Sequence, residues 1–126
     1  MDKKRVLIVD DDVDLLNMLK LRVESAGYEF DGAQDADEMF EIMQTRCPDV
    51  VVLDIVLPKK DGYSALREMR KVERFKDIPV IILTAKEKQK VGDLFALENI
   101  AYFIEKPFET NDLLKKINDA MGQQTA

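Results

Sequence analysis

The run Asp49-Val50-Val51-Val52-Leu53-Asp54 is the feature that most restricts the fold. Four consecutive apolar residues, three of them β-branched, describe a strand buried on both faces, which is the environment of the middle of a parallel sheet. Such a sheet needs crossover helices, so the rest of the chain has to supply them. Asp54 stands at the carboxyl end of the strand, the edge where ligands gather in open α/β sheets. A capping or turn aspartate is the plain alternative at that position, so the residue gains meaning only from its neighbours.

The neighbours repeat the pattern. Arg5-Val6-Leu7-Ile8-Val9 is a second buried strand, and it ends in Asp10-Asp11-Asp12. Leu15, Leu16, Leu19, Val23 and Ala26 then recur at helical spacing, with Asp12 as N-cap and Gly27 as the stop. Tyr28 to Asp31 is poorly patterned and becomes a strand only because the alternation requires one. Asp35 with Glu38 makes a capping-box start for a helix burying Phe40 and Met43, which Cys47-Pro48 ends. Asp61-Gly62 leads a helix with Leu66, Met69 and Val72 on one face. Pro79-Val80-Ile81-Ile82-Leu83 is the next strand, delivering Thr84-Ala85, and Val91, Leu94, Phe95 and Glu98 mark a fourth helix that Asn99 could close. Lys86, Lys88 and Lys90 on it read as a solvated face. Ala101-Tyr102-Phe103-Ile104 is the last strand, followed by Glu105-Lys106-Pro107-Phe108 and a helix from about Asn111 to Met121. Five strands alternating with five helices predict a single α/β domain over residues 1–126, doubly wound and flavodoxin-like, with a five-stranded parallel sheet in the order 2-1-3-4-5.

In that architecture Asp10, Asp11, Asp54, Thr84 and Lys106 converge on one sheet edge. Carboxylates 4 Å apart repel by about 4 kcal/mol per pair at an effective dielectric of 20, so three of them must protonate or share a cation. Mg²⁺ suits such a set, being a hard ion that takes carboxylate oxygens and keeps positions for phosphate and water. An aspartate beside it can serve as nucleophile in phosphoryl transfer, with the Lys106 ammonium and Thr84 hydroxyl available to the transferred group.

Composition removes competing chemistries. The chain has no histidine and one cysteine, Cys47, which excludes Ser-His and Cys-His catalysis, His-ligated zinc, an internal disulfide and a phosphohistidine of its own. A net charge of −6 argues against direct nucleic-acid binding, and no apolar run is long enough to span a membrane. A cytoplasmic protein is expected, with Cys47 as a core or helix-end thiol. A phosphohydrolase with a catalytic aspartate would need a second aspartate two residues on, where Val56 stands. A nucleotide or flavin binder would need a glycine-rich loop after the first strand, and none follows it.

Val6-Leu7-Ile8-Val9-Asp10-Asp11-Asp12, Leu53-Asp54 with Leu57-Pro58 and Asp61-Gly62, Leu83-Thr84-Ala85 and Lys106-Pro107-Phe108 together resemble the receiver domain of two-component response regulators, similar to the single-domain chemotaxis type, over the full length. The resemblance implies that Asp54 accepts phosphate from the phosphohistidine of a sensor histidine kinase or phosphotransfer protein. It implies Mg²⁺ bound by Asp54, by Asp11 directly, by Asp10 through water and by the Val56 backbone carbonyl. Lys106 would bridge an acidic residue and the phosphoryl group, and the Lys106-Pro107 peptide would be cis. Thr84 and Phe103 would act as the switch, moving the fourth helix, fifth strand and fifth helix for a downstream protein target or a phosphorylation-dependent homodimer. Phe103 stands where the family often has tyrosine, and Asn99-Ile100 where it has a glycine-alanine turn. Val56 and Lys86 occupy positions that tune phosphoryl lifetime, and an apolar Val56 predicts slow self-dephosphorylation. The chain would be no enzyme beyond catalysing its own phosphorylation and dephosphorylation. A degenerate docking module that is never phosphorylated is the alternative.

Overall fold

In the computed structural model, residues 3–57, 61–84 and 100–122 are described. Strands β1 (Arg5–Val9), β2 (Glu29–Ala33), β3 (Val50–Asp54), β4 (Val80–Thr84) and β5 (Tyr102–Glu105) pair in parallel in the order β2-β1-β3-β4-β5. Helices α1 (Val13–Ser25), α2 (Ala36–Thr45) and α3 (Gly62–Arg70) and a C-terminal helix (Thr110–Gly122) cover the sheet. The doubly wound order read from the sequence is therefore the order found. The expected fourth helix with Val91, Leu94, Phe95 and Glu98, the lysines Lys86, Lys88 and Lys90, and Pro58, Ala85 and Asn99 lie outside the described residues.

Period-two alternation divides the core between the two faces of the sheet. Leu7, Val9, Val51, Leu53, Val80 and Ile82 point to one side, against Met39 and Met43 of α2 and Ala65, Leu66 and Met69 of α3. Val6, Ile8, Val52, Ile81 and Leu83 point to the other, against Leu16, Leu19 and Val23 of α1 and Leu113, Ile117 and Met121 of the C-terminal helix. The central strands β3 and β4 are buried at every position, as continuous apolar runs require.

Several boundaries differ from the sequence reading. β2 runs through Ala33, because its backbone follows the register of β1 from Arg5↔Glu29 to Val9↔Ala33 despite weak side-chain patterning. Ala26 is exposed at the C-cap of α1, next to Gly27 at φ 97°. Phe40 is half-buried while Met39 joins Met43 in the core. Val72 falls beyond the end of α3 and is exposed, since the helix stops before the turn that would have carried it inward. Cys47 is exposed just past α2, so it is a helix-end thiol and not a core one.

At the amino end of the sheet the carboxylates are matched by arginines. Asp31 receives Arg5 at 2.8 Å and Arg46 at 3.1 Å, and Asp49 accepts the Arg5 backbone N–H at 2.7 Å. The carboxyl end is arranged otherwise.

Candidate functional site

Four of the five strands, β1, β3, β4 and β5, deliver a polar residue to one edge. β1 is followed by Asp10 and Asp11, β3 ends in Asp54, β4 ends in Thr84, and β5 is followed by Lys106. The parallel ladder sets their common level: Asp54 lies opposite Leu83, and Thr84 opposite Glu105. The Lys106 N–H donates to the Thr84 carbonyl at 2.6 Å, and the Asp10 N–H to the Ala33 carbonyl at 2.9 Å. The Lys106-Pro107 peptide is cis.

Asp10 is fully buried, and both of its oxygens are engaged. Oδ1 accepts the Asp12 N–H at 2.9 Å and Oδ2 accepts Lys106 Nζ at 2.7 Å. Asp12 is the N-cap of α1, its carboxylate accepting the Leu15 N–H. Asp54, only 6% exposed, takes the Val56 N–H on Oδ1 at 3.0 Å and Lys106 Nζ on Oδ2 at 2.9 Å. Lys106 thus lies between two buried carboxylates. Burial pushes the Asp54 carboxyl above its ordinary value of 3.8, against the opposing pull of Lys106 and the Val56 N–H. Burial also depresses the Lys106 ammonium, but the hydrogen bonds and charges of Asp10 and Asp54 outweigh it and leave the group raised.

Asp10, Asp11 and Asp54 each offer a carboxylate oxygen, and these lie within 4.8 Å of one another. Opposite ligands of an octahedral Mg²⁺ stand about 4.2 Å apart, so the three can converge on one small hard cation with little movement. With Lys106 counted, the cluster keeps two formal negative charges, which a divalent ion would balance. The donor set and spacing fit a small, hard divalent cation. Asp11 is exposed, so the cluster is open to solvent on that side.

Thr84 is 1% exposed, and its Oγ1 has no hydrogen-bond partner among the described residues. A buried hydroxyl without a partner costs about 1–3 kcal/mol, which is a reason to expect a partner in another state. Phe103 is half-buried and packs against the core cluster of α2 and α3.

Asp10, Asp11, Asp54 and Lys106 are brought together here, Val56 reaches them through its N–H and Thr84 stands at the same sheet edge, whereas Phe103 lies along β5 and Lys86 is outside the described residues. Sequence reasoning missed the Val56 N–H contact to Asp54 and the double engagement of Asp10. The first is a backbone interaction with no side-chain signature, and so is the half of the second that the Asp12 N–H supplies; the other half, from Lys106, is the bridge to an acidic residue that the resemblance implies.

The comparisons with known proteins agree with this geometry. Residues 6–118 match the response regulator receiver domain family. The chain is 37% identical over 125 residues to a probable transcriptional regulator, ycf27, of Cyanophora paradoxa, covering 95% of this chain and 49% of that protein. It is 38% identical over 120 residues to the ycf27 of Guillardia theta, covering 91% and 44%. The chain thus spans about half the length of these curated relatives. Among solved structures it superposes on a CheY-like response regulator receiver domain protein from Methanospirillum hungatei JF-1 with a TM-score of 0.90, at 28% identity and 98% coverage of both chains. The chemotaxis response regulator CheY4 of Vibrio cholerae gives 0.87 at 25% identity, with 94% and 99% covered. This chain belongs to the response regulator receiver domain family.

Proposed function

We propose that residues 1–126 act as one phosphoacceptor receiver domain, taking a phosphoryl group from the phosphohistidine of a partner kinase or phosphotransfer protein onto Asp54. The observation that carries this reading is the sharing of Lys106 between Asp10 and Asp54 inside a trio of carboxylates that still keeps excess negative charge. Such a site is built to receive cations and a group that brings more oxygen ligands. An Asp54 carboxylate oxygen attacks phosphorus, the P–N bond to the donor imidazole breaks, and its electron pair stays on the imidazole nitrogen, which takes up a proton. Bound at Asp10, Asp11, Asp54 and the Val56 carbonyl, Mg²⁺ would supply positive charge to the phosphoryl oxygens.

The chain's own residues do the rest. The Val56 N–H orients Asp54 Oδ1. Lys106, released from Oδ2, follows the negative charge onto the phosphoryl group while keeping Asp10. Thr84 Oγ1 gains the acceptor it lacks, and the space it vacates is open to the Phe103 ring on the neighbouring strand. That shift would present the surface around β5 and the C-terminal helix to a downstream protein or to a second phosphorylated copy. The domain turns over no separate substrate. We place it in the cytoplasm, where a lone exposed thiol at Cys47 stays reduced. Among the described residues no helix is long and apolar enough to cross a membrane.

Incubation with acetyl phosphate, followed by intact mass measurement, tests the reading. One adduct that requires Mg²⁺, is labile to base and disappears in Asp54→Asn is expected. Folded protein that takes no phosphoryl group from acetyl phosphate or from any phosphohistidine donor would leave only a docking module.

A further inference from the structure

Gly62 opens α3 in direct contact with the backbone that carries Asp54. Its N–H donates to the Ile55 carbonyl at 2.7 Å. A Cβ at this position would stand 2.5 Å from the Asp54 carbonyl oxygen and 2.8 Å from the Ile55 Cα. Both obstacles are main-chain atoms, so neither can rotate away as a side-chain end could, and any side chain at 62 must push α3 off β3.

The consequence for the site runs through a single peptide. The Ile55 carbonyl and the Val56 N–H belong to the same planar unit. Its oxygen is held by Gly62, and its N–H is the group that donates to Asp54 Oδ1 at 3.0 Å. On the preceding side the Ile55 N–H is tied to the Leu83 carbonyl of β4 at 3.2 Å. On the following side Leu57 is buried in the core. With its neighbours fixed, this plane keeps one soft freedom, its coupled rotation about the axis joining the Ile55 and Val56 Cα atoms, and the Gly62 N–H is the hydrogen bond that sets it.

We infer that Gly62 is a positioning residue for the acceptor carboxylate. Its bare Cα lets α3 seat on the Asp54–Ile55 backbone, and its N–H fixes the Ile55–Val56 peptide that aims Asp54 Oδ1. The inference rests on the receiver reading above and extends it to a residue that touches neither ion nor phosphate. Asp61 supplies the contrast: it caps α3 through the Ser64 N–H at 2.8 Å, so its loss weakens the same helix without tilting that peptide.

The test compares Gly62→Ala with Asp61→Ala by amide NMR and by titration with Mg²⁺ alone. In metal-free protein, Gly62→Ala is expected to displace the Val56 amide resonance, and Asp61→Ala to leave it in place. Gly62→Ala should weaken Mg²⁺ binding about ten- to a hundredfold, the range typical of lost outer-shell support, and Asp61→Ala by no more than about twofold. A Gly62→Ala protein with the wild-type Val56 resonance and Mg²⁺ affinity overturns the inference, as does an equal loss of affinity in Asp61→Ala. If Gly62→Ala does not fold, hydrogen exchange of the wild type decides. Mg²⁺ should slow the Gly62 and Val56 amides together, and an unchanged Gly62 beside a slowed Val56 would refute the coupling. A wild type that binds no Mg²⁺ would sink the receiver reading, while the metal-free Val56 resonance would still decide the role of Gly62.

Discussion

Replacing Asp54 with asparagine should stabilise the metal-free domain, although it removes a hydrogen-bonded, ion-paired residue. At an effective dielectric of 20, the attraction of Asp54 to Lys106 across 2.9 Å is worth about 5.7 kcal/mol. Asp10 and Asp11, with oxygens within 4.8 Å, each repel it by about 3.5 kcal/mol. Repulsion exceeds attraction by about 1 kcal/mol, water screening at the exposed Asp11 reduces that excess, and loss of hydration at the buried carboxylate adds to the cost. The raised Asp54 pKa has the same sign. A folded value above the unfolded one means that the favourable contribution exists below the unfolded value of 3.8 and is lost as pH rises through the folded value. Once pH has risen past that folded value the wild type has lost it, and the asparagine variant would not, since the amide oxygen still accepts one hydrogen bond and Lys106 keeps Asp10. We expect a gain of about 1–2 kcal/mol, or roughly 4–8 °C in melting temperature for a domain of this size. The assay is thermal unfolding by circular dichroism in EDTA from pH 3.5 to 8, with the exposed Asp119→Asn as control. The gap should be near zero at the acid end and widen as pH rises. A variant that melts at or below the wild type at neutral pH, or a gap independent of pH, would refute the electrostatic argument.

Further outcomes follow from the same geometry. Mg²⁺ at a hundred times its dissociation constant should stabilise the wild type by about 2.7 kcal/mol and Asp54→Asn by clearly less; equal stabilisation in thermal melts would mean that Asp54 is not a ligand. Lys106→Met leaves Asp10 and Asp54 buried without their cation, so metal-free stability at neutral pH should fall by about 3 kcal/mol in denaturant titrations. A loss under about 1 kcal/mol would show that the lysine is dispensable. Thr84→Val removes a buried hydroxyl that has no partner among the described residues, so stability should stay level or rise by about 1 kcal/mol, while the phosphorylation-induced shift of the Phe103 resonances should shrink. An unaltered shift would deny Thr84 its switching role. Val56 is apolar, exposed and two residues from Asp54, and slow loss of phosphate is expected; Val56→Asn, able to orient water, should shorten the acyl-phosphate half-life about tenfold.

Strand ends were the most legible part of the sequence. Asp54, Thr84, Asp10 and Lys106 follow buried apolar runs, and parallel pairing carries all such ends to one edge, so their clustering could be deduced without coordinates. β2 had no such signal, because Glu29, Phe30 and Asp31 carry no apolar pattern and only the ladder to β1 defines the strand. Val72 fits the apolar spacing of α3, yet the helix ends one residue earlier at its Lys71 C-cap, which periodicity does not report. The finer site was illegible where backbone does the work. The Val56 N–H on Asp54, the Lys106 N–H on the Thr84 carbonyl and the Gly62 N–H on the Ile55 carbonyl leave no mark on side-chain identity. Gly62 alone hints at one of them, since only a residue without Cβ fits 2.5 Å from the Asp54 carbonyl oxygen.

The most direct test of the account is to locate the phosphoryl group. Protein phosphorylated with acetyl phosphate and Mg²⁺ is reduced with borohydride, which converts an aspartyl phosphate to homoserine, and its peptides are sequenced by mass spectrometry. The account predicts homoserine at position 54 and nowhere else. Homoserine at Asp10, Asp11 or Asp61, or none in a sample that carries the phosphoryl adduct, would contradict it.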